Sequence, residues 1–318
     1  MPAINTPIEA RQYVSALYAT AMHEQQANWT ADVATIIPSH AARDIMPYAG
    51  NPPQLTELVD STEIKGLVTD DQLSATATPF HVDNREFAVG IKVRRRDFED
   101  DLLYMIKSRV SQMAIVSSRY NEKLIATTIN NGTLGASTYP QAKGYDGYTL
   151  FHVAHPALGA EGGTQSNLLT GTGSTITYVQ VDLNTALAAL MSIVADNGEP
   201  YNEGFKKVFI LAPPTMRLPI DTAIRGTLIA TTSNLLAVDF DVKPIYSSRL
   251  TADHSYYVGV MDVPDRGITF IDRVPPTFEA LEIGSDEQWN TSVYKYRTRM
   301  RAEAAAGKWQ SIVKVYNA

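Results

Sequence analysis

The clearest pattern along the chain is a strict alternation of apolar and polar positions that ends just before residue 95. The apolar positions are Phe87, Val89, Ile91 and Val93, and Ala88, Gly90, Lys92 and Arg94 lie between and after them. A period of two predicts a β-strand with one buried face. The tract before it, about 62 to 86, has few apolar residues, so it predicts a long hairpin that cannot bury its own surface.

A helical pattern follows this strand. Neither glycine nor proline occurs between Gly90 and Gly132, which predicts one helix over 97–131, with Asp97 as N-cap and Asn131-Gly132 as its end. Such a helix is about 50 Å long at 1.5 Å per residue and acts as a spine for the subunit. One apolar stripe runs along it, formed by Phe98, Leu102, Met105, Val110, Met113, Val116, Tyr120 and Leu124.

The remaining patterns complete an α+β chain. The first 45 residues or so form an arm that cannot bury a core by itself, and residues 133 to 174 are rich in glycine. A second helix is predicted at about 179 to 196, and a buried strand at Val208 to Leu211 precedes a helix opened by Pro213-Pro214. Short strands are predicted around 241–246, 256–261, 267–271 and 277–283, and two long strand-like runs close the chain, Gln288 to Arg301 and Lys308 to Tyr316.

Composition removes several classes of function. The chain has 318 residues and no cysteine, which excludes a thiol nucleophile, a disulfide framework and every Cys-based metal site. With 27 basic and 34 acidic residues the net charge is −7, the wrong sign for a protein whose main task is to coat phosphate backbones. No apolar run is long enough for a membrane span, so we expect neither a membrane span nor a signal peptide.

The motifs of common catalysts are also missing. The sequence contains no G-x-S-x-G and no Walker-type phosphate loop. His152 and His155 are the only closely spaced histidines, but Pro156 follows them and no third ligand is evident, so an extended loop is favoured over a metal site. We therefore expect no catalytic residue, no cofactor and no metal.

One basic cluster stands out in this acidic chain. It consists of Lys92, Arg94, Arg95 and Arg96, where the predicted strand meets the predicted helix. A salt-bridging contact with acidic residues of a neighbouring subunit is favoured over phosphate binding, and a merely solvated strand end is an equally open alternative.

Two groups of residues carry a family resemblance. The first is Asp146-Gly147, Leu150-Phe151, His155-Pro156 and Asn167-Leu168, and the second is a C-terminal set that includes Trp289, Tyr296, Arg299, Arg301 and Ala306-Gly307-Lys308-Trp309-Gln310. Together with the order of elements, they resemble the Mu-like prophage major head subunit family of tailed-phage capsid proteins, which has the Hong Kong 97-type fold. By this resemblance, the residues at motif positions of the family are Asp146, Gly147, Phe151, His155, Pro156, Asn167 and Trp309.

The resemblance implies a division of the chain. In that fold the parts are an N-terminal arm, an extended E-loop, a peripheral domain with a spine helix, and an axial domain. The corresponding segments here are 1–56 for the arm, 57–96 for the E-loop and its returning strand, 97–132 for the spine helix, 133–262 for the axial domain, and 263–318 for the terminal strands of the peripheral domain. Lys65 lies in the E-loop, the loop in which some relatives form a covalent cross-link, and it is a candidate for subunit contact.

The resemblance also implies a role and partners. The subunit is expected to assemble with itself into hexamers and pentamers, and then into an icosahedral shell that encloses DNA without sequence-specific binding. A separate scaffolding protein, a portal and a decoration protein are the further partners it implies, with assembly in the host cytoplasm and no membrane. Two alternatives remain at this point: an encapsulin-like nanocompartment shell, and a soluble hydrolase that uses Asp146, His152 and His155.

Overall fold

A computed structural model gives the architecture. It describes residues 7–24, 29–39, 43–46, 80–99, 103–135, 138–156, 163–195, 198–225, 228–229, 232–233, 240–251, 254–281 and 286–317. Within these ranges no helix has the length and apolar character needed to cross a bilayer. The predicted hairpin before residue 80, including Lys65, lies outside the described residues.

The described elements alternate between helices and strands. The helices are α1 (Pro7–Glu24), α2 (Thr30–Val33), α3 (Arg95–Glu99), α4 (Leu103–Ser118), α5 (Tyr120–Asn130), α6 (Ile176–Ser192), α7 (Arg217–Arg225) and α8 (Asp286–Thr291). The strands are β1 (Ala34–Pro38), β2 (Arg43–Met46), β3 (Phe80–Asp83), β4 (Arg85–Arg94), β5 (His155–Pro156), β6 (Thr164–Gln165), β7 (Leu168–Thr170), β8 (Lys207–Ala212), β9 (Leu228–Ile229), β10 (Thr232–Ser233), β11 (Asp241–Tyr246), β12 (Tyr256–Val260), β13 (Ile268–Ala280), β14 (Val293–Ala306) and β15 (Ile312–Tyr316). The predicted α+β class is confirmed.

The first sheet has four strands in the order β1-β13-β14-β4. The predicted alternation in β4 is confirmed, because Val93 is buried while Ala88, Gly90, Lys92 and Arg94 are exposed. The apolar face of β4 and β14 packs against α1 and α4. The residues of this small core are Ala10, Val14, Tyr18, Ala21, Val93, Phe98, Ile106, Val110, Met113, Ala114 and Tyr296.

The second sheet has five strands in the order β11-β8-β12-β15-β7. The larger core lies around it, with the buried faces of α6 and α7 and a contribution from α5. Its most buried large side chains include Trp309, Tyr256, Phe151 and Phe209. The continuous apolar run of β8 matches its position inside the sheet, where five of its six residues are buried.

The single helix predicted over 97–131 differs from the structure. In the described residues the interruption is a turn at Arg119, between the end of α4 and the start of α5. The hydroxyls of Ser117 and Ser118 donate to the carbonyls of Met113 and Ile115, at 2.8 and 3.0 Å, and such back-bonding bends a helix. Two predicted stripe positions are also wrong for the isolated subunit, because Met105 and Val116 are 61% and 52% exposed.

The start of this helical region also lies slightly earlier than predicted. Helix α3 begins at Arg95, and the Asp97 carboxylate accepts a hydrogen bond from the Arg94 backbone N–H at 3.2 Å. Asp97 thus caps the helix from its third position, as the acidic residue of a capping box does. The end is as predicted, because α5 stops at Asn130 and Asn131 is its C-cap.

The two C-terminal strands lie in different sheets. β14 belongs to the four-stranded sheet, whereas β15 pairs with β12 and β7 in the five-stranded sheet. The chain changes sheets at Gly307 and the 3-10 turn Trp309–Ser311. A Cβ on Gly307 would lie 2.3 Å from the Arg266 carbonyl oxygen, so only glycine fits this close crossing.

Candidate functional site

The motif positions converge on a buried polar cluster, which begins with a tight turn at residues 144–148. The Gly144 N–H donates to the Tyr148 carbonyl at 2.7 Å, and Gly147 has a φ of 87°, in the left-handed region that favours glycine. The Tyr148 N–H donates to Asp146 Oδ1 at 3.1 Å. The turn therefore fixes the Asp146 carboxylate and directs its second oxygen inward.

The imidazole ring of His155 contacts that second oxygen of Asp146. Its Nδ1 lies 2.5 Å from Asp146 Oδ2, and both side chains have no exposed surface. The backbone around His155 is extended, because β5 pairs with β6 in the register Pro156 to Thr164. The extended backbone predicted at His155–Pro156 is therefore confirmed.

Asn167, which lies between β6 and β7, completes the polar cluster. Its Nδ2 donates to the carbonyls of Leu150, Trp309 and Ile312, at 2.7, 3.3 and 3.3 Å. Its Oδ1 accepts from the His152 N–H at 2.9 Å and faces His155 Nε2 at 3.1 Å. Because three carbonyls fix the amide orientation, Oδ1 is an acceptor and the His155 ring donates at Nε2.

Trp309 covers the imidazole. The two rings stack with centroids 4.1 Å apart and an interplanar angle of 4°, and Trp309 is 1% exposed. Phe151 lies in the same core, where its N–H donates to the Gly132 carbonyl at 2.9 Å and its ring packs against Tyr257. The cluster thus joins the glycine-rich segment to the C-terminal turn by hydrogen bonds and ring stacking.

The chemistry available to this cluster is structural. Both nitrogens of His155 face acceptors and the ring is sealed under Trp309, so no substrate atom can approach it. Among the described residues no three histidine or carboxylate side chains converge as metal ligands do. The cluster holds three segments in a fixed arrangement: residues 144–155, the connection at Asn167, and the turn at Trp309.

Burial changes the ionisation of several groups near this cluster. Burial raises the pKa of Tyr145 well above its ordinary value of 10.0, although its hydrogen bond with Gln310 acts in the opposite direction. Burial lowers the pKa of Lys314, whose ammonium lies about 6 Å from the rings of Phe151, Tyr257 and Tyr316. In both groups, burial favours the neutral form over the charged form.

The basic cluster lies elsewhere, at the end of β4 and the start of α3. Lys92, Arg94, Arg95 and Arg96 are all exposed, and Arg96 Nε is 3.7 Å from Asp97 Oδ1. Lys92 stands directly opposite Lys295 in the sheet, a placement of like charges that costs stability. The structure does not bring this cluster near Asp146, His155 or Asn167.

Two polar residues with structural roles were missed from sequence. Glu303 is fully buried in an alanine-rich strand, and Arg85 pairs with both of its carboxylate oxygens. The Glu303 partner raises the pKa of Arg85. Asp182, buried in α6, accepts from the Thr172 N–H and hydroxyl. The only sequence signal for the buried Glu303 is that it is a charged residue within an apolar run. No sequence signal identifies Arg85 as its partner.

Comparison with known proteins places this geometry in a family. The model of the Mu-like prophage major head subunit gpT matches residues 9–193. A comparison with curated proteins gives no match. Asp146, His155 and Asn167, which form most of the buried cluster, all lie within the matched range.

Solved structures show the same fold. The procapsid of bacteriophage JBD30 is similar with a TM-score of 0.53 at 17% identity, covering 98% of this chain and 76% of that one. A virus-like particle from Pyrococcus furiosus has a TM-score of 0.54 at 7% identity, covering 96% and 98%. The capsid of the cyanophage P-SCSP1u has a TM-score of 0.50 at 11% identity, covering 92% and 89%.

These findings confirm the Hong Kong 97-type capsid fold that the sequence resemblance implied. The likeness in structure extends over nearly the whole chain, and the family match covers more than half of it. The chain belongs to the Mu-like prophage major head subunit family.

Proposed function

We propose that this chain closes into hexamers and pentamers, which form an icosahedral shell around packaged phage DNA. It is a structural capsid subunit and not an enzyme, as its family is named for the major head subunit. The buried state of His155 agrees with this, since a catalytic histidine has to reach its substrate. The match over residues 9–193, joined to a capsid fold over almost the entire chain, is the observation that carries the proposal.

The four-stranded sheet offers a surface for such contacts. One face packs on α1 and α4, while the other presents Lys92 and Arg94 of β4 beside Lys295 and Arg297 of β14. On this face Arg297 pairs with Glu279 of β13, while Lys92 and Arg94 are exposed, so β4 contributes positive charge in a chain of net charge −7. Charge complementarity with acidic segments of a neighbouring subunit supports its use in assembly.

The division of the chain follows from the same proposal. Residues 1–56 form the arm, 57–96 the E-loop with its returning strand, 97–132 the spine region, and 133–262 the axial domain. Segment 263–318 returns to the peripheral domain, except that β15 joins the other sheet. Lys65 is proposed as a contact residue of the E-loop.

The partners follow from the role. A separate scaffolding protein, a portal and a decoration protein would act with the subunit during assembly in the host cytoplasm. The packaged DNA would be enclosed without sequence-specific recognition. No membrane is involved in this scheme.

A nanocompartment shell is the second candidate, since the virus-like particle from Pyrococcus furiosus has the same fold at a TM-score of 0.54. The family match favours a phage head. The two differ in what the particle encloses, DNA in one case and a cargo protein in the other.

Size-exclusion chromatography with negative-stain microscopy tests the shell itself. Rings, capsomers, tubes or closed shells are expected in the leading fraction. A monomer that persists across protein concentrations and salt, also when the neighbouring genes are co-expressed, contradicts the proposal. Nuclease-protected DNA in particles made in infected or induced cells separates a head from a nanocompartment.

Reversal of two charges in the basic cluster tests the contact surface. Arg94→Glu combined with Arg96→Glu is expected to reduce assembly at least tenfold, because it replaces attraction to an acidic neighbour by repulsion. The subunit should still fold, since both side chains are exposed. The matched control is Lys107→Glu with Lys206→Glu, which reverses two exposed charges elsewhere. Normal particles from the Arg94/Arg96 variant would show that the cluster is only a solvated strand end.

A further inference from the structure

An open cleft of about 780 Å³ lies between α5, the end of β11 and the start of α2. It falls within the size range of small-molecule sites, roughly 300–1,000 Å³. It is separate from the buried cluster and from the cationic sheet face. Its lining residues are Trp29, Arg119, Glu122, Lys123, Ala126, Thr127, Tyr246, Ser247, Ser248 and Arg249.

The cleft concentrates positive charge. Arg119, Lys123 and Arg249 are exposed around it, and Glu122 is the one carboxylate among the described residues of its lining. Lys123 Nζ lies 5.1 Å from the centre of the Tyr120 ring. Three cations against one anion give this cleft a charge opposite to that of the whole chain, which attracts an anionic ligand.

The walls of the cleft are held in place by hydrogen bonds. Asn130 Nδ2 donates to the Arg249 carbonyl at 2.8 Å, and the Thr251 N–H donates to Asn130 Oδ1 at 3.2 Å. These bonds fasten the loop after β11 to the end of α5. The backbone segments that carry the cations are therefore fixed relative to each other before a ligand arrives, which lowers the entropic cost of binding.

The other lining groups indicate which anion fits. Ser248 supplies an exposed hydroxyl, and phosphate oxygens accept readily from hydroxyl and guanidinium donors. The Thr127 hydroxyl instead donates to the Lys123 carbonyl, and Ser247 is buried. Trp29 supplies a ring surface on which a base can stack, a contact worth about 1–3 kcal/mol. The Tyr246 ring already faces the Arg217 guanidinium at 5.8 Å, and its hydroxyl donates to Asp221. A carboxylate-bearing peptide would use the cations but leave the Trp29 ring without a matching group.

We infer that this cleft binds a phosphate group together with its attached nucleoside, from a free nucleotide or from a single nucleic-acid strand. This goes beyond the proposed shell, which needs only to enclose DNA. In a wall of net negative charge, the cleft would act as a local attachment point for phosphate.

Fluorescence anisotropy with a labelled 12-nucleotide single-stranded DNA tests the inference. Arg119→Ala with Lys123→Ala is expected to weaken binding by about tenfold or more, and to reduce the salt dependence, since each phosphate contact contributes about 0.7 to the slope. The charge-matched control is Lys107→Ala with Lys206→Ala, which should stay within about twofold of the unmodified protein. Lys123→Gln, at an exposed position, provides a milder second variant, and Lys123→Arg should retain binding.

Competitors identify the source of the phosphate. Displacement of the label by adenosine monophosphate supports a free nucleotide, and displacement by unlabelled strand alone supports a nucleic acid. Equal weakening in the cleft variant and in the control overturns the inference, as does equal competition by a twelve-residue polyglutamate peptide at the same ionic strength. Assembly is measured separately by size-exclusion chromatography, so failure of the shell proposal is distinguishable from failure of this one.

Discussion

Removal of the Asn167 side chain is the most direct test of the buried cluster. Asn167 has no exposed surface, and its side chain has five hydrogen-bond contacts: its two amide hydrogens are shared among three carbonyls, and its oxygen accepts twice. Asn167→Ala removes all of them at once. It leaves the His152 N–H, His155 Nε2 and carbonyl groups of the core without this partner.

The expected loss follows from the geometry of these bonds. The bonds to Leu150, His152 and His155 are 2.7, 2.9 and 3.1 Å long, whereas the other two are 3.3 Å and count for less. At about 1 kcal/mol for each net hydrogen bond, with more for each buried group left unpaired, the loss is about 3–5 kcal/mol. That is a large part of the 5–15 kcal/mol by which a domain is ordinarily stable.

Urea unfolding followed by tryptophan fluorescence measures this loss, because Trp309 lies in the cluster. Ser166→Ala is the neighbouring control, and it should cost less than about 1 kcal/mol, since among the described residues the Ser166 hydroxyl bonds to the backbone of Leu168 alone. Asn167→Asp should cost at least as much as Asn167→Ala, because a carboxylate oxygen would face three carbonyls. A loss below about 1 kcal/mol for Asn167→Ala would falsify the view that this amide holds the segments together.

Two further predictions concern buried charge and alkaline pH. Arg85→Ala should destabilise the unassembled subunit by about 3 kcal/mol or more in urea unfolding, because it leaves the fully buried Glu303 unpaired. Glu303→Gln should cost less, because Arg85 is half-exposed and reaches solvent; the reverse order would contradict this account. Burial raises the pKa of Tyr145 and Tyr257 above the ordinary 10.0, so the unfolded chain releases protons first and stability should fall as pH rises above about 10. Unfolding midpoints between pH 8 and 11 check this, and a constant midpoint would contradict it.

The local elements were predictable because local patterns determine them. The alternation in β4, the apolar run of β8 and the stop at Asn131 each depend on neighbouring residues, and each is present in the structure. The interruption at Arg119 was missed because it arises without glycine or proline. Its signal in the sequence was the pair Ser117-Ser118, whose hydroxyls compete for helix carbonyls.

The buried cluster was predictable only through family resemblance. From the residues alone, His155 was a loop histidine without a visible third partner. The Trp309 carbonyl accepts from the Asn167 amide, and the two residues are 142 positions apart. No periodicity in the sequence connects residues so distant from each other. The change of sheet at Gly307 was missed for the same reason, because strand pairing depends on which distant strands are adjacent.

The exposed positions of the predicted stripe have a different cause. Helix periodicity detects an apolar face but does not distinguish a face buried within the subunit from one buried between subunits. Val110 and Met113 pack against α1, while Met105 and Val116, eleven residues apart and so on nearly the same face of α4, remain exposed. Tyr104, 84% exposed, lies next to that face. A subunit that folds before it assembles needs both kinds of face, and a sequence pattern shows them as one stripe.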